Sequence, residues 1–328
     1  MKRHAFAAVA VLASLGSAFS QTANHKHELV PFAAPPGEQK IWNLARAVAV
    51  DRKGSVIIFR GSEPAVLVYR REGKLQKAWN LPDGKSVEIA HIQSTRLRTG
   101  QEALYPDAHS ITLDRDGFLW LTERSGHTIY KYTVDGKLVM TLGRHGVEGD
   151  PASRDAFKRP SDVVVAANGD IFVADDGNFR VVKFSKDGQF KQIIGGVKGT
   201  APGQFGVPHA LAIDSRGRLL VVDQHQDEKG HSRVQIFDQN GKFLEQWKLE
   251  GDQPTGIVIT PDDTVYVSDT NGNSVTVFKN GQGVDTWKNL PIRPHMLAWD
   301  PAISTLYLTD PEGEKTRPGG LVLKTTLK

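Results

Sequence analysis

The sequence predicts an all-β fold, a six-bladed β-propeller with an N-terminal strand closing the last blade, and three observations lead there. One strand-and-turn pattern recurs six times along the chain. The 328 residues include 32 glycines, a content suited to many tight turns rather than to long helices. The last recurrence lacks its fourth strand, and a segment able to replace it stands near the N-terminus.

The recurring unit is an apolar strand, a turn with Asp and Gly, and a second apolar strand ending in an acidic residue. A third strand, another Gly turn and a fourth strand complete it. Blade one runs from about Leu44 to Trp79, with Ala47-Val-Ala-Val-Asp51 and Val56-Ile-Ile-Phe-Arg60. Blade two is the clearest: His109-Ser-Ile-Thr-Leu-Asp114, Gly117-Phe-Leu-Trp-Leu-Thr-Glu123, Thr128-Ile-Tyr-Lys-Tyr132 and Asp135-Gly-Lys-Leu-Val-Met140. Blade three holds Asp162-Val-Val-Val165, Ile171-Phe-Val-Ala-Asp175 and Val181-Val-Lys-Phe184. Blade four holds His209-Ala-Leu-Ala-Ile-Asp214, Leu219-Leu-Val-Val-Asp223 and Val234-Gln-Ile-Phe237. Blade five holds Gly256-Ile-Val-Ile259, Val265-Tyr-Val-Ser-Asp269 and Val275-Thr-Val-Phe278. Blade six holds His295-Met-Leu-Ala-Trp-Asp300, Leu306-Tyr-Leu-Thr-Asp310 and Leu321-Val-Leu323. Short β-branched and aromatic runs between turn residues read as strands. Radial repetition leaves only short protected edges, whereas a linear solenoid would need polar caps, which the chain lacks.

Outer strands carry a Trp-x-Leu or similar signature at Trp79-Asn80-Leu81, Trp247-Lys248-Leu249, and Trp287 with Leu290. The segment 38–44, with Trp42-Asn43-Leu44, carries it too, so it is expected to pair as the outer strand of blade six. On this reading residues 38–328 form the propeller and 21–37, with Pro31, Pro35 and Pro36, are a lead-in without a core role.

Residues 1–20 read as a secretion signal: Lys2 and Arg3, an apolar run from Ala5 to Ala18, and Ala18-Phe19-Ser20 before a cleavage at Gln21. The expected location is periplasmic or secreted. No stretch approaches the roughly 20 apolar residues that span a bilayer, so membrane insertion is not expected. The chain has no cysteine, which excludes disulfides and thiol chemistry. A net charge of +4 without a clustered basic run gives no reason to expect nucleic acid as a partner. The expected partner is a small-molecule or peptide substrate, and the expected state a monomer.

The first strand of each propeller blade lines the central channel. Five residues before the turn that ends that strand, the six blades present Arg46, His109, Asp162, His209, Gly256 and His295. Histidine falls on blades two, four and six. Alternate blades of a sixfold ring stand about 120° apart, so three imidazoles converge with trigonal symmetry. Such a set leaves an open axial position, as in catalytic zinc sites, and suits Zn, Cu, Fe or Ni. Channel histidines that merely bond water are the alternative. At the end of the second strand, blades two to six carry Glu123, Asp175, Asp223, Asp269 and Asp310, acids suited to capping the following turn. Blade one has Arg60 there, a bidentate anchor for a carboxylate or else a partner for neighbouring acids. His25, His27, His91, His127, His145, His225 and His231 fall in or near predicted loops and are not expected to form a second centre.

Asp155-Ala-Phe157-Lys-Arg-Pro160 and Gly203-Gln-Phe205-Gly-Val-Pro208 resemble the segments that lead into the blades of NHL-repeat propellers. From about Val48 to Asp310 the chain looks like the peptidyl-α-hydroxyglycine α-amidating lyases. The resemblance implies a zinc held by His109, His209 and His295, a substrate-side arginine at Arg60, and release of an amide and glyoxylate by C–N cleavage. Three positions depart from that pattern. The loop Asp175–Arg180 is one residue short and has no Tyr, so the base is unassigned. Gln224 stands where an Arg is expected. Met296 replaces the carboxylate of a structural calcium, for which the carbonyls of Val48 and Ile111 remain. Two other readings are a non-catalytic scaffold binding protein or glycan and a sugar-lactone hydrolase, for which acidic and amide ligands would be expected.

Overall fold

The computed structural model describes residues 28–33, 45–81, 107–225, 230–311 and 321–326. Among them are six four-stranded antiparallel sheets, the blades of a propeller. In five blades the strands follow chain order from the channel outward. The innermost strands are Ala45–Val50, Ala108–Leu113, Pro160–Val165, Val207–Ile213 and Pro254–Ile259. Blade six runs outward from Leu297–Asp300 through Thr305–Asp310 and Leu321–Thr326 to Val30–Pro31.

The outermost strand of blade six therefore does come from the N-terminal region, but from Val30–Pro31, inside the stretch read as a lead-in. Residues 38–44 lie outside the described residues. Val30 pairs with Lys324 and Pro31 with Leu323, and the Phe32 amide donates to the Val322 carbonyl at 2.9 Å. Proline is tolerated there because an outermost strand needs no amide on its free side. The flanking apolar side chains hold the seam. Leu29 is buried with Trp287, Leu290 and Leu306 on the blade-five side, and Phe32 packs edge-on against Tyr69 of blade one and Tyr307 of blade six. These residues thus do have a core role.

The core is divided among the interfaces between blades. Six apolar clusters occur among the described residues, and each joins two neighbouring blades, the one between blades six and one including Phe32, Val48, Tyr69, Tyr307 and Val322. The tryptophan signature serves these interfaces. Trp79 of blade one lies 4.9 Å from the Tyr132 ring of blade two and donates to the Val134 carbonyl, and Trp247 of blade four stacks on Phe278 of blade five at 5.2 Å. At the end of the inner strand, Asp51, Asp114 and Asp214 accept amides two and four residues on, closing tight turns in which Gly117 takes a φ of 86°.

Candidate metal centre

Each inner strand opens on an irregularity, and that is what aims the centre. A β-bulge falls at Arg46, His109, Ser161 and His209, and across Thr255–Gly256 in blade five. A bulge leaves one residue out of the ladder and turns its side chain. His295 sits at the equivalent place, its amide bonded to the Thr309 carbonyl at 2.8 Å. The ring of equivalent residues is therefore Arg46, His109, Ser161, His209, Thr255 and His295. The expected members Asp162 and Gly256 are off by one, because Ala166 and Thr260 replace the turn aspartate in blades three and five.

His109, His209 and His295 converge as expected. One ring nitrogen of each lies within 4.8 Å of those of the other two, and the ring centroids are 4.7, 5.1 and 5.6 Å apart. All three are buried. Their Nδ1 atoms lie 2.7 Å from the Ser161 carbonyl, 2.7 Å from the Thr255 carbonyl and 3.0 Å from the Arg46 carbonyl, in the same order. A carbonyl only accepts, so each Nδ1 carries the proton and each Nε2 keeps its lone pair. This is the outer-shell bond that fixes tautomer and ring orientation in histidine metal sites. Each imidazole on an even blade thus leans on the bulge carbonyl of the next odd blade.

The braces continue outward. The Ser161 hydroxyl donates to the Pro208 carbonyl at 3.0 Å, Thr270 to the Pro294 carbonyl at 2.9 Å and Ser268 to the His295 carbonyl at 2.6 Å, which pins the Pro-His pairs. Gly256 is required by the close approach of blade six. A Cβ there would stand 2.4 Å from the His295 carbonyl oxygen. Burial holds His109 and His209 well below the ordinary histidine range and brings His295 down to about 3, with Arg124 and Arg46 adding repulsion. Neutral imidazoles with inward lone pairs are the state a metal requires, and the donor set fits one divalent transition ion. Met296, the residue after His295, has no carboxylate to offer a companion calcium and lies in the apolar cluster with Ala47, Ala49 and Ile111.

Around this centre the acids at the ends of the second strands do more than cap turns. Glu123 accepts the Gly126 amide and Asp269 the Gly272 amide, as expected. Asp175 and Asp223 instead accept amides of the preceding segment, from Lys158 at 2.6 Å and Gly206 at 2.8 Å. Each also binds an arginine, Arg180 and Arg233, whose remaining N–H groups hold the carbonyls of Pro151, Ser153, Thr200 and Gln204. Arg60 is fully buried, and its guanidinium donates to the carbonyls of Pro64 at 2.7 Å and Glu63 at 3.0 Å. Burial lowers it to about 10, so it stays charged at neutral pH. Gln224 is buried and donates to the Pro254 carbonyl at 2.7 Å. His225 is buried against Asp223, with Nε2 3.0 Å from a carboxylate oxygen.

One pair at the centre was not anticipated. Arg124 follows Glu123 and forms an ion pair with Asp176, the first residue of the 3-10 turn Asp176–Asn178 in the tyrosine-free loop. Its signal lay one step past the ring of acids, where the blades carry Arg124, Asp176, Gln224 and Thr270.

The NHL repeat family model matches residues 157–184 and 252–278. Human NHL repeat-containing protein 3 is 33% identical over 227 residues, covering 66% of this chain and 58% of that protein. Peptidyl-alpha-hydroxyglycine alpha-amidating lyase 1 of Drosophila melanogaster is 29% identical over 234 residues, covering 66% of this chain and 42% of its own length. The chain thus spans well under two thirds of either relative. Among solved structures, a gluconolactonase of Xanthomonas campestris superposes with a TM-score of 0.64 at 15% identity, covering 92% of this chain and 90% of that one, a likeness of fold. The chain is a six-bladed β-propeller with two segments that match the NHL repeat, similar in sequence to the amidating lyases and to NHL repeat-containing protein 3.

Proposed function

We propose that this protein is an exported, metal-dependent carbon–nitrogen lyase that divides a peptidyl- or N-acyl-α-hydroxyglycine into an amide and glyoxylate. One observation carries the reading: three buried, neutral imidazoles whose Nδ1–H groups are tied to carbonyls, so that three Nε2 lone pairs meet at one point. The name of the Drosophila relative supports the same reaction. A divalent transition ion held there, zinc foremost, would lower the pKa of a substrate hydroxyl.

The chain's own residues supply the rest. The three histidines fix the position of the reacting carbon, and the buried channel around them excludes bulk water. The hydroxyl proton leaves as the aldehyde of glyoxylate forms, the C–N bond breaks, and the amide nitrogen takes up a proton, so atoms and charge balance. Arg60 would serve this scheme as a positioning residue, since its buried guanidinium holds the carbonyls of Glu63 and Pro64. The protein is further proposed to be a periplasmic or secreted monomer whose partner is this small or peptide substrate.

The test is glyoxylate release from an N-acyl-α-hydroxyglycine by zinc-loaded protein, with His109→Ala alongside. Release well above the uncatalysed rate by the parent alone is expected. Equal, uncatalysed rates from both would leave the propeller as a binding scaffold, the second reading, favoured by the similarity to NHL repeat-containing protein 3.

A further inference from the structure

Arg60, at the end of the second strand of blade one, and Arg124, just past that of blade two, differ in exposure. Arg60 has no exposed surface, and a substrate carboxylate would have to displace the Glu63 and Pro64 carbonyls to reach it. Arg124 stands differently. Its amide is bonded to the Asp107 carbonyl, just before the inner strand that carries His109. From there the side chain crosses to blade three, where Nη2 meets Asp176, and it keeps 22% of its surface open. The turn that bears Asp176 packs on the inner strands of blades three and four, the latter carrying His209.

Two further observations point to a ligand. The Arg124 Nε–H is buried and has no hydrogen-bond partner among the described residues. A guanidinium N–H left so is costly unless something else accepts it. The positive charge of Arg124 also bears on all three imidazoles. Arg46 acts on two of them, and Arg159 on the Arg124–Asp176 pair itself. Asp107 and Asp176 are the carboxylates whose charge acts on Arg124.

We propose that Arg124, held in place by Asp176, receives the anionic group of the substrate, a carboxylate adjacent to the hydroxyl drawn to the three histidines. A planar fork with one arm on Asp176 retains N–H groups to grip a second carboxylate. The lyase reading already supplies an α-hydroxy carboxylate, and Arg124 is the residue assigned to receive its carboxylate. The inference deepens the lyase reading and rests on its placement of the substrate, but the anion site does not require that C–N cleavage occur.

Glycolate, an α-hydroxy carboxylate, and its neutral amide glycolamide serve as probes, titrated calorimetrically into zinc-loaded and metal-free protein. Arg124→Gln should weaken glycolate by about tenfold or more, while leaving glycolamide binding, zinc content and thermal midpoint near those of the parent. Arg124→Lys, which keeps the charge but not the fork, should fall between the two. Glycolate affinity within twofold of the parent in Arg124→Gln, or an equal loss for glycolamide, overturns the assignment. Should Arg124→Gln lose zinc or fold poorly, Arg124→Lys decides, and parental glycolate affinity there overturns it as well. Arg124-dependent glycolate binding by a protein that releases no glyoxylate would sink the lyase reading and leave the anion site standing.

Discussion

At the equivalent inner-strand position blades two, four and six carry histidine where blades one, three and five carry Arg46, Ser161 and Thr255, and the candidate metal centre is built on that alternation. At the shared bulge the even blades present imidazoles and the odd blades present carbonyls. Because the odd blades contribute backbone, their side chains are free to be Arg46, Ser161 or Thr255 without changing what the histidines rest on. A sixfold scaffold thus yields a threefold site by alternating which part of the residue is used.

The largest effect should come from the even blades. His209→Ala removes a third of the donor set and should reduce bound metal from about one equivalent per chain to a small fraction. His109→Ala and His295→Ala should behave alike, and metal content unchanged in all three would break the comparison outright. Next is the seam. A chain beginning at residue 34 should melt well below one beginning at residue 28, and Phe32→Ala alone should cost about 3–5 kcal/mol by emptying the space between Tyr69 and Tyr307. Equal midpoints for the two chain starts would refute the closure by Val30–Pro31.

A third test looks for the odd-blade position that does matter. Gly256→Ala puts a methyl against the His295 carbonyl and the Ser268 hydroxyl, so it should cost about 1–3 kcal/mol and weaken metal binding as well. Parental zinc affinity in that variant would show that blade five does not position His295.

The pH dependence of the metal-free protein sharpens the comparison from the other side. Folded His295 takes a proton only near 3 and His109 and His209 well below the ordinary value, whereas in the unfolded chain all three do so near 6.5. The unfolded state therefore binds more protons across that window, and stability should fall as pH drops from about 6.5 toward about 3. Thermal midpoints of the parent and of a triple His→Gln variant should diverge through this range, and parallel curves would show that the imidazoles are not buried neutral. The smallest effect is expected for Ser161→Ala, which loses the bond to the Pro208 carbonyl, about 1 kcal/mol, but keeps the carbonyl that receives His109. A large loss of metal there would mean that the odd-blade side chain, not its backbone, orients the ligand.

Six blades and three convergent histidines were legible in the sequence, because strand alternation and a turn aspartate repeat with chemistry that side chains alone carry. The register of blades three and five was not, since Ala166 and Thr260 stand where that aspartate serves as the ruler. Nor was the closing strand. Val30–Pro31 is two residues long, too short for any periodicity, and its worth lies in Leu29 and Phe32 reaching opposite neighbours. The carbonyls that hold the imidazoles are invisible in a string of residue names, as every residue has one. Arg124 escaped notice because its partner Asp176 comes from another blade.

The bond from His295 to the Arg46 carbonyl joins residues 249 apart in the chain. It forms only when blade six is docked on blade one, so the third imidazole has its brace only in the closed ring. Contacts of such long sequence separation are slow to form. An open ring has two braced histidines and a third without its brace, and would hold a metal ion more weakly than the closed ring. Metal affinity is by the same linkage a force that keeps the ring shut. Closing the ring would thus complete the site that holds an ion, and an ion held there would favour the closed ring.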